Sequence, residues 1–376
     1  DIADNPSGLH NTPWKKAQRK AMLAGQRPEE CNYCWAFEDL KSNLTSDRMY
    51  FNAPDGNFGA DIPNTVELTG DENVNPRYME VSFNNACNMA CSYCSPGQSS
   101  TWAKEISKQG PYPVRDPAVN FLHPHIPEEE NPYIKAFWEW LPQCYPGLKY
   151  LRLTGGEPLL SLQADRLLTY VSQHVNPGLT VAVNTNLCVP EGRIRHLLDQ
   201  ADRAMKKVKA VRIYTSCDTV GRQAEYIRHG FDWHRWCDNV ERVAYAGYPV
   251  NIMSTFGVLS VFGYPEFIDH VLHWRKQGLD IKFSVAAVRD PIHFDLRILP
   301  QEYDVYWVRL EAKYHSVKHL LTPQESRTLA NILAFRKSHI QMPQATKDDL
   351  FNQFKIFFAT HDARRSHPLL DAELRL

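Results

Sequence analysis

Cys87-Asn88-Met89-Ala90-Cys91-Ser92-Tyr93-Cys94 is the stretch on which the reading of this chain turns. Its three cysteines are spaced CxxxCxxC, just beyond an apolar, strand-like run over 78–83. Three thiolates in one short loop can hold three corners of a cubic iron–sulfur cluster, whereas four cysteines would saturate all four irons. A three-cysteine loop leaves one iron without a protein ligand, and that vacancy is where chemistry can occur. The alternatives are zinc, a disulfide or buried free thiols. Structural zinc sites use four ligands, commonly in CxxC pairs, so zinc fits poorly unless Cys31 and Cys34 join the loop. A disulfide between such close neighbours would be strained, and nothing else marks the chain as secreted.

A second run is Leu151-Arg152-Leu153-Thr154-Gly155-Gly156-Glu157-Pro158. It takes an apolar strand into two glycines, an acid and a proline. Glycines let a backbone turn sharply and approach a ligand closely. Carbonyls, N–H groups and a carboxylate at such a turn could bind a cationic amine; an ordinary strand-to-helix turn uses the same residues. In this order, about one βαβ unit apart, the two runs resemble the signature of the radical S-adenosylmethionine (SAM) enzymes. That signature usually has an aromatic before the third cysteine, and Tyr93 fills the place.

The resemblance implies that Cys87, Cys91 and Cys94 hold three irons of a 4Fe–4S cluster, with SAM chelating the fourth through its amino and carboxylate groups. It implies that Gly155, Gly156, Glu157 and Pro158 bind the SAM amino group, with Tyr93 counted among the cofactor-binding residues. SAM is then cleaved reductively with one electron from a donor such as flavodoxin or ferredoxin. A hydrogen atom is taken from a substrate C–H bond. The cofactor carries the hard chemistry; the protein supplies orientation and a dry cavity.

The 376 residues suffice for two or three domains' worth of core, although barrels of this kind often run as one large domain. With 43% hydrophobic and 23% charged residues, the composition is that of an ordinary soluble globular protein. Lys plus Arg total 42 and Asp plus Glu 43, a net charge of −1 that gives no indication of a nucleic-acid surface beyond a local patch. No apolar run approaches the ~18–20 residues needed to span a bilayer. Asp1-Ile2-Ala3-Asp4 is neither a signal peptide nor a natural start. A cytoplasmic protein with no membrane partner is expected, and a missing upstream segment stays open. The nine cysteines read as metal ligands plus scattered thiols rather than a disulfide framework.

Three regions follow from the pattern. Residues 1–76 form an amino-terminal extension with a helix predicted over 14–23, where Trp14, Ala17, Ala21 and Ala24 share a face. Gly25 stops that helix, and 52–75, rich in Asn, Asp, Gly and Pro, reads as loop. Residues 77–299 alternate strands and helices, with strands predicted over 78–83, 150–154, 179–184, 210–214, 250–255 and 281–285 and a helix over 265–277. Such alternation implies parallel strands and right-handed crossovers. Six units fit the α/β fold of the family, a partial (β/α)6 barrel. The segment 109–132, rich in Pro and charge, reads as an insertion loop. Residues 300–376 form a helical carboxy-terminal region with helices over 303–318, 322–338 and 347–360, the second opened by the capping box Thr322-Pro323-Gln324-Glu325.

Ligands of α/β barrels collect at the carboxyl ends of the strands. The third strand ends in Asn184, where a side chain can bond SAM or form an Asx turn. After the fourth come Ser216, Cys217 and Asp218, then Tyr226-Ile227-Arg228-His229-Gly230. These resemble the family's Ser-x-Asp and Tyr-x-Arg-x-Gly runs. They imply Arg228, and with it Ser216, at the SAM carboxylate or ribose, since a guanidinium grips a carboxylate with two parallel bonds; a surface ion pair is the other reading of Arg228. Asp218 is a candidate for ribose or substrate. Cys217 is a candidate hydrogen-atom donor, with a buried inert thiol as the plainer reading. Cys144, Cys188 and Cys237 read as packing residues, and His123-Pro124-His125 is weak as a metal site.

Trp14, Arg19, Met22-Leu23-Ala24-Gly25, Pro28, Cys31, Cys34, Glu38, Ser46 and Arg48 resemble the segment preceding the core in a radical SAM subgroup with twitch or SPASM domains. That subgroup carries an auxiliary iron–sulfur cluster, for which Cys31 and Cys34 supply two of about four ligands. A zinc knuckle or an ordinary thiol pair is the alternative. The subgroup implies modification of a peptide or protein. The other readings are radical modification of a small metabolite, sugar or nucleotide, including phage-type DNA base modification, and a non-catalytic iron–sulfur protein.

Overall fold

Every second residue of Val250–Phe256 is buried in the computed structural model, which describes residues 3–39, 46, 48–49, 69–123, 126–288, 290–337 and 342–365. That alternation is the period of a strand with one face under helices. Among the described residues there are eight strands: β1 (Tyr78–Ser82), β2 (Ala90–Cys91), β3 (Tyr150–Thr154), β4 (Asn176–Thr185), β5 (Val208–Ser216), β6 (Arg228–His229), β7 (Val250–Phe256) and β8 (Ile281–Ala287). Six of them make one sheet in the order β1-β3-β4-β5-β7-β8, while β2 and β6 make a separate antiparallel ribbon. β5 with β7 and β7 with β8 run parallel, placing Tyr214, Asn251 and Lys282 in one row.

The helices of the described residues are α1 (Pro13–Leu23), α2 (Asn32–Asp39), α3 (Ser100–Gln109), α4 (Pro132–Cys144), α5 (Leu162–Gln173), α6 (Glu191–Met205), α7 (Gly221–Ile227), α8 (Trp233–Tyr245), α9 (Tyr264–Lys276), α10 (Asp304–Val317), α11 (Pro323–Lys337) and α12 (Gln344–Arg364). Helices alternate with the sheet strands and the last three form the helical carboxy-terminal region, as expected. Polar bonds fix which sheet face the helices cover. Trp236 of α8 donates to Thr215 Oγ1 (3.0 Å), and Tyr264 of α9 donates to Ser254 Oγ (3.0 Å). At the start of α11 the capping box forms: Glu325 accepts from Thr322 N (2.7 Å) and donates its own N–H to Thr322 Oγ1 (3.3 Å). Glu325 also accepts from Phe283 N of β8 (2.9 Å). Ser216, Met253 and Thr255 are left on the other face.

Two compact units emerge. The first comprises Asp1–Glu80, Ile126–Arg152 and Val175–Val181. There the Arg19 guanidinium donates to the carbonyls of His10 (2.6 Å), Gly70 (3.4 Å) and Glu72 (2.8 Å). Glu38 accepts from Arg48 and Ser46, and Arg48 lies 4.4 Å over the Trp35 ring. α1 buries none of its residues, and Trp14 is 51% exposed, so its apolar stripe is not a core face. β4 begins at Asn176, earlier than its apolar run. The Asn176 amide donates to Tyr145 O (2.6 Å) and Leu148 O (3.1 Å) and draws Asn176-Pro177-Gly178 into the sheet. Most of the loop expected over 52–75, together with Pro124 and His125, lies outside the described residues.

The second unit comprises Val81–His125, Leu153–His174 and Ala182–Leu376. In it α12 packs Phe354, Phe357 and Phe358 around Phe294. Its end is held by Glu105 of α3, which accepts from Arg365 (2.9 Å) and from Tyr112 Oη (2.5 Å). Two histidines are buried in this packing, His293 and His361, and both contact Phe357. Their Nε2 atoms have no hydrogen-bond partner among the described residues. Burial holds each ring's pKa down, to about 4. The neutral rings are thus the folded form. Their stabilising contribution is complete above the unfolded value near 6.5 and is lost as pH falls toward 4. The loss is of the order of 3 kcal/mol for each ring. Replacing both by Leu should flatten the dependence of unfolding free energy on pH between 6.5 and 4; parallel profiles for the two proteins would contradict the assignment.

Candidate functional site

The cysteine loop follows β1 and is tied down from three sides. The first hydroxyls of the α3 region hold its backbone: Cys87 N donates to Ser100 Oγ (3.2 Å), Thr101 Oγ1 donates to Cys87 O (2.6 Å), and Ser99 Oγ donates to Met89 O (2.5 Å). The buried Trp102 indole donates to Cys91 O (2.7 Å). Trp102 in turn packs on Tyr112 and Phe357, so α12 braces the loop through one indole.

The Gly155–Pro158 turn supplies the second tie. Glu157 N donates to Ala86 O (2.6 Å) and Gly156 N to Asn84 O (3.3 Å). A Cβ on Gly156 would collide with Ala86 O and stand 2.6 Å from Asn85 C, so only glycine permits this backbone approach. The Glu157 carboxylate is fully buried and points into the turn rather than into the open site. It accepts from Asn186 N (2.6 Å) and Leu159 N (3.0 Å). Burial pushes its pKa up to about 7 against these donors. Asn186 then donates to Asn88 Oδ1 (2.8 Å), returning to the cysteine loop.

The third tie is the β2–β6 ribbon, in which Cys91 faces Arg228 and Ala90 faces His229. Gly230, at φ +95, follows directly; a Cβ there would stand 2.7 Å from Asn88 O. Arg228 is buried and donates through Nε (2.8 Å) and Nη2 (3.0 Å) to the carboxylate of Asp218, itself fully buried. Its Nη1 lies 3.8 Å from Cys91 Sγ. Asp218 also accepts from Tyr93 Oη (2.8 Å) and Thr255 N (2.8 Å), and the Arg228 guanidinium sits 5.4 Å over the Tyr93 ring. Of the two readings of Arg228, a surface ion pair is ruled out by its burial.

These ties surround one cavity of about 500 Å³. Cys87, Cys91, Tyr93 and Cys94 line one part of it, and Gly155, Gly156, Asn184, Ser216 and Arg228 line others. Glu157, Pro158, Cys217 and Asp218 stand behind the wall: Cys217 donates to Thr219 O (3.0 Å) as a packed thiol, and Asp218 serves Arg228. Cys31 and Cys34 are half-buried free thiols of the first unit. Thr255, Asn186, Gln98, Val119 and Asp290 also line the cavity. Thr255 stands next to the end of the fifth sheet strand, β7, so the strand-end argument applied one strand further would have found it; Asp290 carries no sequence signal.

The three thiols open on the same space. Among the described residues no three His, Cys, Asp or Glu side chains gather tightly enough to hold a single metal ion. A cluster, in which each thiolate binds its own iron, fits the triplet better than one zinc. Burial pushes the Cys87 and Cys94 thiols up to about 12 and raises Cys91 as well, so loading such a cluster must expel their protons.

A family model described as the radical SAM superfamily matches residues 81–273, just over half of the chain. This chain belongs to the radical SAM superfamily. It is an enzyme of that class, a family that works with a 4Fe–4S cluster and SAM. Among curated relatives of this radical SAM chain, the GTP 3′,8-cyclase of Sulfurimonas denitrificans is 23% identical over 207 residues, 55% of this chain and 54% of the relative. That of Aquifex aeolicus is 22% identical over 57% of this chain and 59% of the relative. The chain thus spans about half the length of the curated relatives it matches. Among solved structures, Streptococcus suis SuiB bound to S-adenosylmethionine is 15% identical, with a TM-score of 0.41 over 65% of this chain and 47% of that one. No described helix is long and apolar enough to cross a membrane.

The backbone contact at Gly156 makes a direct prediction. Gly156→Ala should destabilise the fold by about 1–3 kcal/mol, the usual cost of overpacking. Urea unfolding reads this, and an unchanged midpoint would show that the turn and the cysteine loop are not in contact.

Proposed function

We propose that this protein cleaves SAM reductively at a 4Fe–4S cluster and abstracts a hydrogen atom from a C–H bond of a small-molecule substrate. The observation that carries the reading is the convergence of Cys87, Cys91 and Cys94 with Gly155, Gly156, Asn184, Ser216 and Arg228 on one cavity. Cys87, Cys91 and Cys94 would hold the cluster, which supplies one-electron reduction of the bound sulfonium. An external donor such as a flavodoxin or ferredoxin provides the electron. The Gly155–Gly156 backbone offers carbonyls to an ammonium group, since glycine leaves them uncovered. Glu157 pins the turn through Asn186 and Leu159. Arg228 has five N–H donors, of which three are spent on Asp218 and Cys91. Two remain for a carboxylate or ribose, with Ser216 beside them in the lining. Met89 and Val119, buried in the cavity lining, help keep water from the reacting atoms.

The substrate divides two readings. Curated relatives named for GTP favour a small nucleotide. The peptide or protein substrate rests on the Cys31–Cys34 segment and its resemblance to the twitch and SPASM subgroup, in which residues 1–76 would carry an auxiliary cluster. The test is anaerobic reconstitution followed by reduction with dithionite. The intact protein should yield methionine and 5′-deoxyadenosine from SAM, and the Cys87→Ala/Cys91→Ala/Cys94→Ala variant should bind no core cluster and yield neither. Equal iron in both proteins would overturn the assignment. GTP should stimulate SAM cleavage severalfold if the nucleotide reading holds, and a short peptide if the other does.

A further inference from the structure

Building on the cluster reading above, we propose that Arg228 sets the reduction potential of the cluster through the sulfur of Cys91, and that Asp218 limits how strongly it does so. The β2–β6 register places Arg228 opposite Cys91, and Nη1 stands 3.8 Å from Sγ. Both side chains are buried, so solvent and salt screen the interaction little. Reduction adds one electron to the cluster and makes or breaks no bond. A cation and hydrogen-bond donor at a ligand sulfur stabilises the more negative, reduced state and raises the potential.

The guanidinium has no freedom to leave. Nε and Nη2 are clamped by Asp218, whose carboxylate is fixed by Tyr93 Oη and Thr255 N, each at 2.8 Å. Tyr93 lies between Cys91 and Cys94 in sequence. The cysteine loop therefore holds the acid that holds the arginine that touches the loop's own sulfur. Asp218 places an opposing charge on the far nitrogens, which weakens the cation without removing it. Any contact of Arg228 with SAM is a separate matter, because the potential can be measured with SAM absent.

The experiment is an EPR-monitored redox titration of the reconstituted protein without SAM, using dithionite as one-electron donor. Arg228→Met should lower the midpoint so that the reduction equilibrium falls at least tenfold, which is 59 mV for one electron. Asp218→Asn should move it the other way. The double variant Arg228→Met/Asp218→Asn leaves no unpaired buried charge and should sit below the intact protein, since the guanidinium is the group nearer the sulfur. Cluster-loaded variants with unmoved midpoints, or both singles displaced in the same direction, would overturn the proposal. If the singles fail to hold a cluster, the double decides: a midpoint equal to that of the intact protein overturns it. An intact protein that takes up no iron would instead overturn the cluster reading itself.

Discussion

One buried ion pair, Asp218 with Arg228, holds the site together. Asp218 meets no solvent and Arg228 only at the cavity, so both have lost most of the hydration that a charge normally keeps. Burial of this kind is tolerated when hydrogen bonds satisfy the lone pairs of the buried carboxylate. Asp218 accepts four donors, from Nε and Nη2 of Arg228, Tyr93 Oη and Thr255 N. Those donors come from β6, the cysteine loop and β7. The acid lies just beyond the end of β5. Removing one charge would strand the other at a cost of about 3–5 kcal/mol, and would release all four segments together.

Around that pair the site is assembled from backbone more than from side chains. Gly156 and Gly230 bring two separate turns against Asn85–Ala86 and Asn88–Met89 at distances a Cβ would forbid. The cysteine loop is thus gripped on either side of Cys87. Parallel strands deliver Thr154, Asn184, Ser216 and Thr255 to the same end of the sheet, so four turns meet around one cavity. The carboxy-terminal helix contributes at a distance: Phe357 packs on Trp102, and Trp102 holds the Cys91 carbonyl. Rigidity here has a chemical use, because a reactive species made in a loose cavity would meet water before substrate.

Much of this was legible in the residues. The apolar runs over 78–83, 150–154, 210–214, 250–255 and 281–285 each lie on an observed strand, because alternating burial leaves a period of two in the sequence. The capping box at Thr322 formed because it needs only local geometry. What escaped were features decided by distant partners. β2 and β6 are two residues each, too short for any period, and exist because Cys91 and Arg228 pair across more than a hundred residues. The bonds of the Glu157 carboxylate to Asn186 N and Leu159 N left no signal in the sequence. The pairing of Asp218 with Arg228 likewise left none. The Trp14 stripe has helical spacing yet covers no core, since periodicity reports a face and not what lies against it.

The central claim is that the Cys87–Cys91–Cys94 loop carries a cluster with one iron left for SAM. The most direct measurement is the EPR spectrum of the dithionite-reduced, reconstituted protein before and after SAM is added. The account predicts a reduced 4Fe–4S signal whose g-values shift on adding SAM, as the nucleotide takes the unligated iron. A spectrum indifferent to SAM, or a protein holding zinc at the triplet, would contradict it.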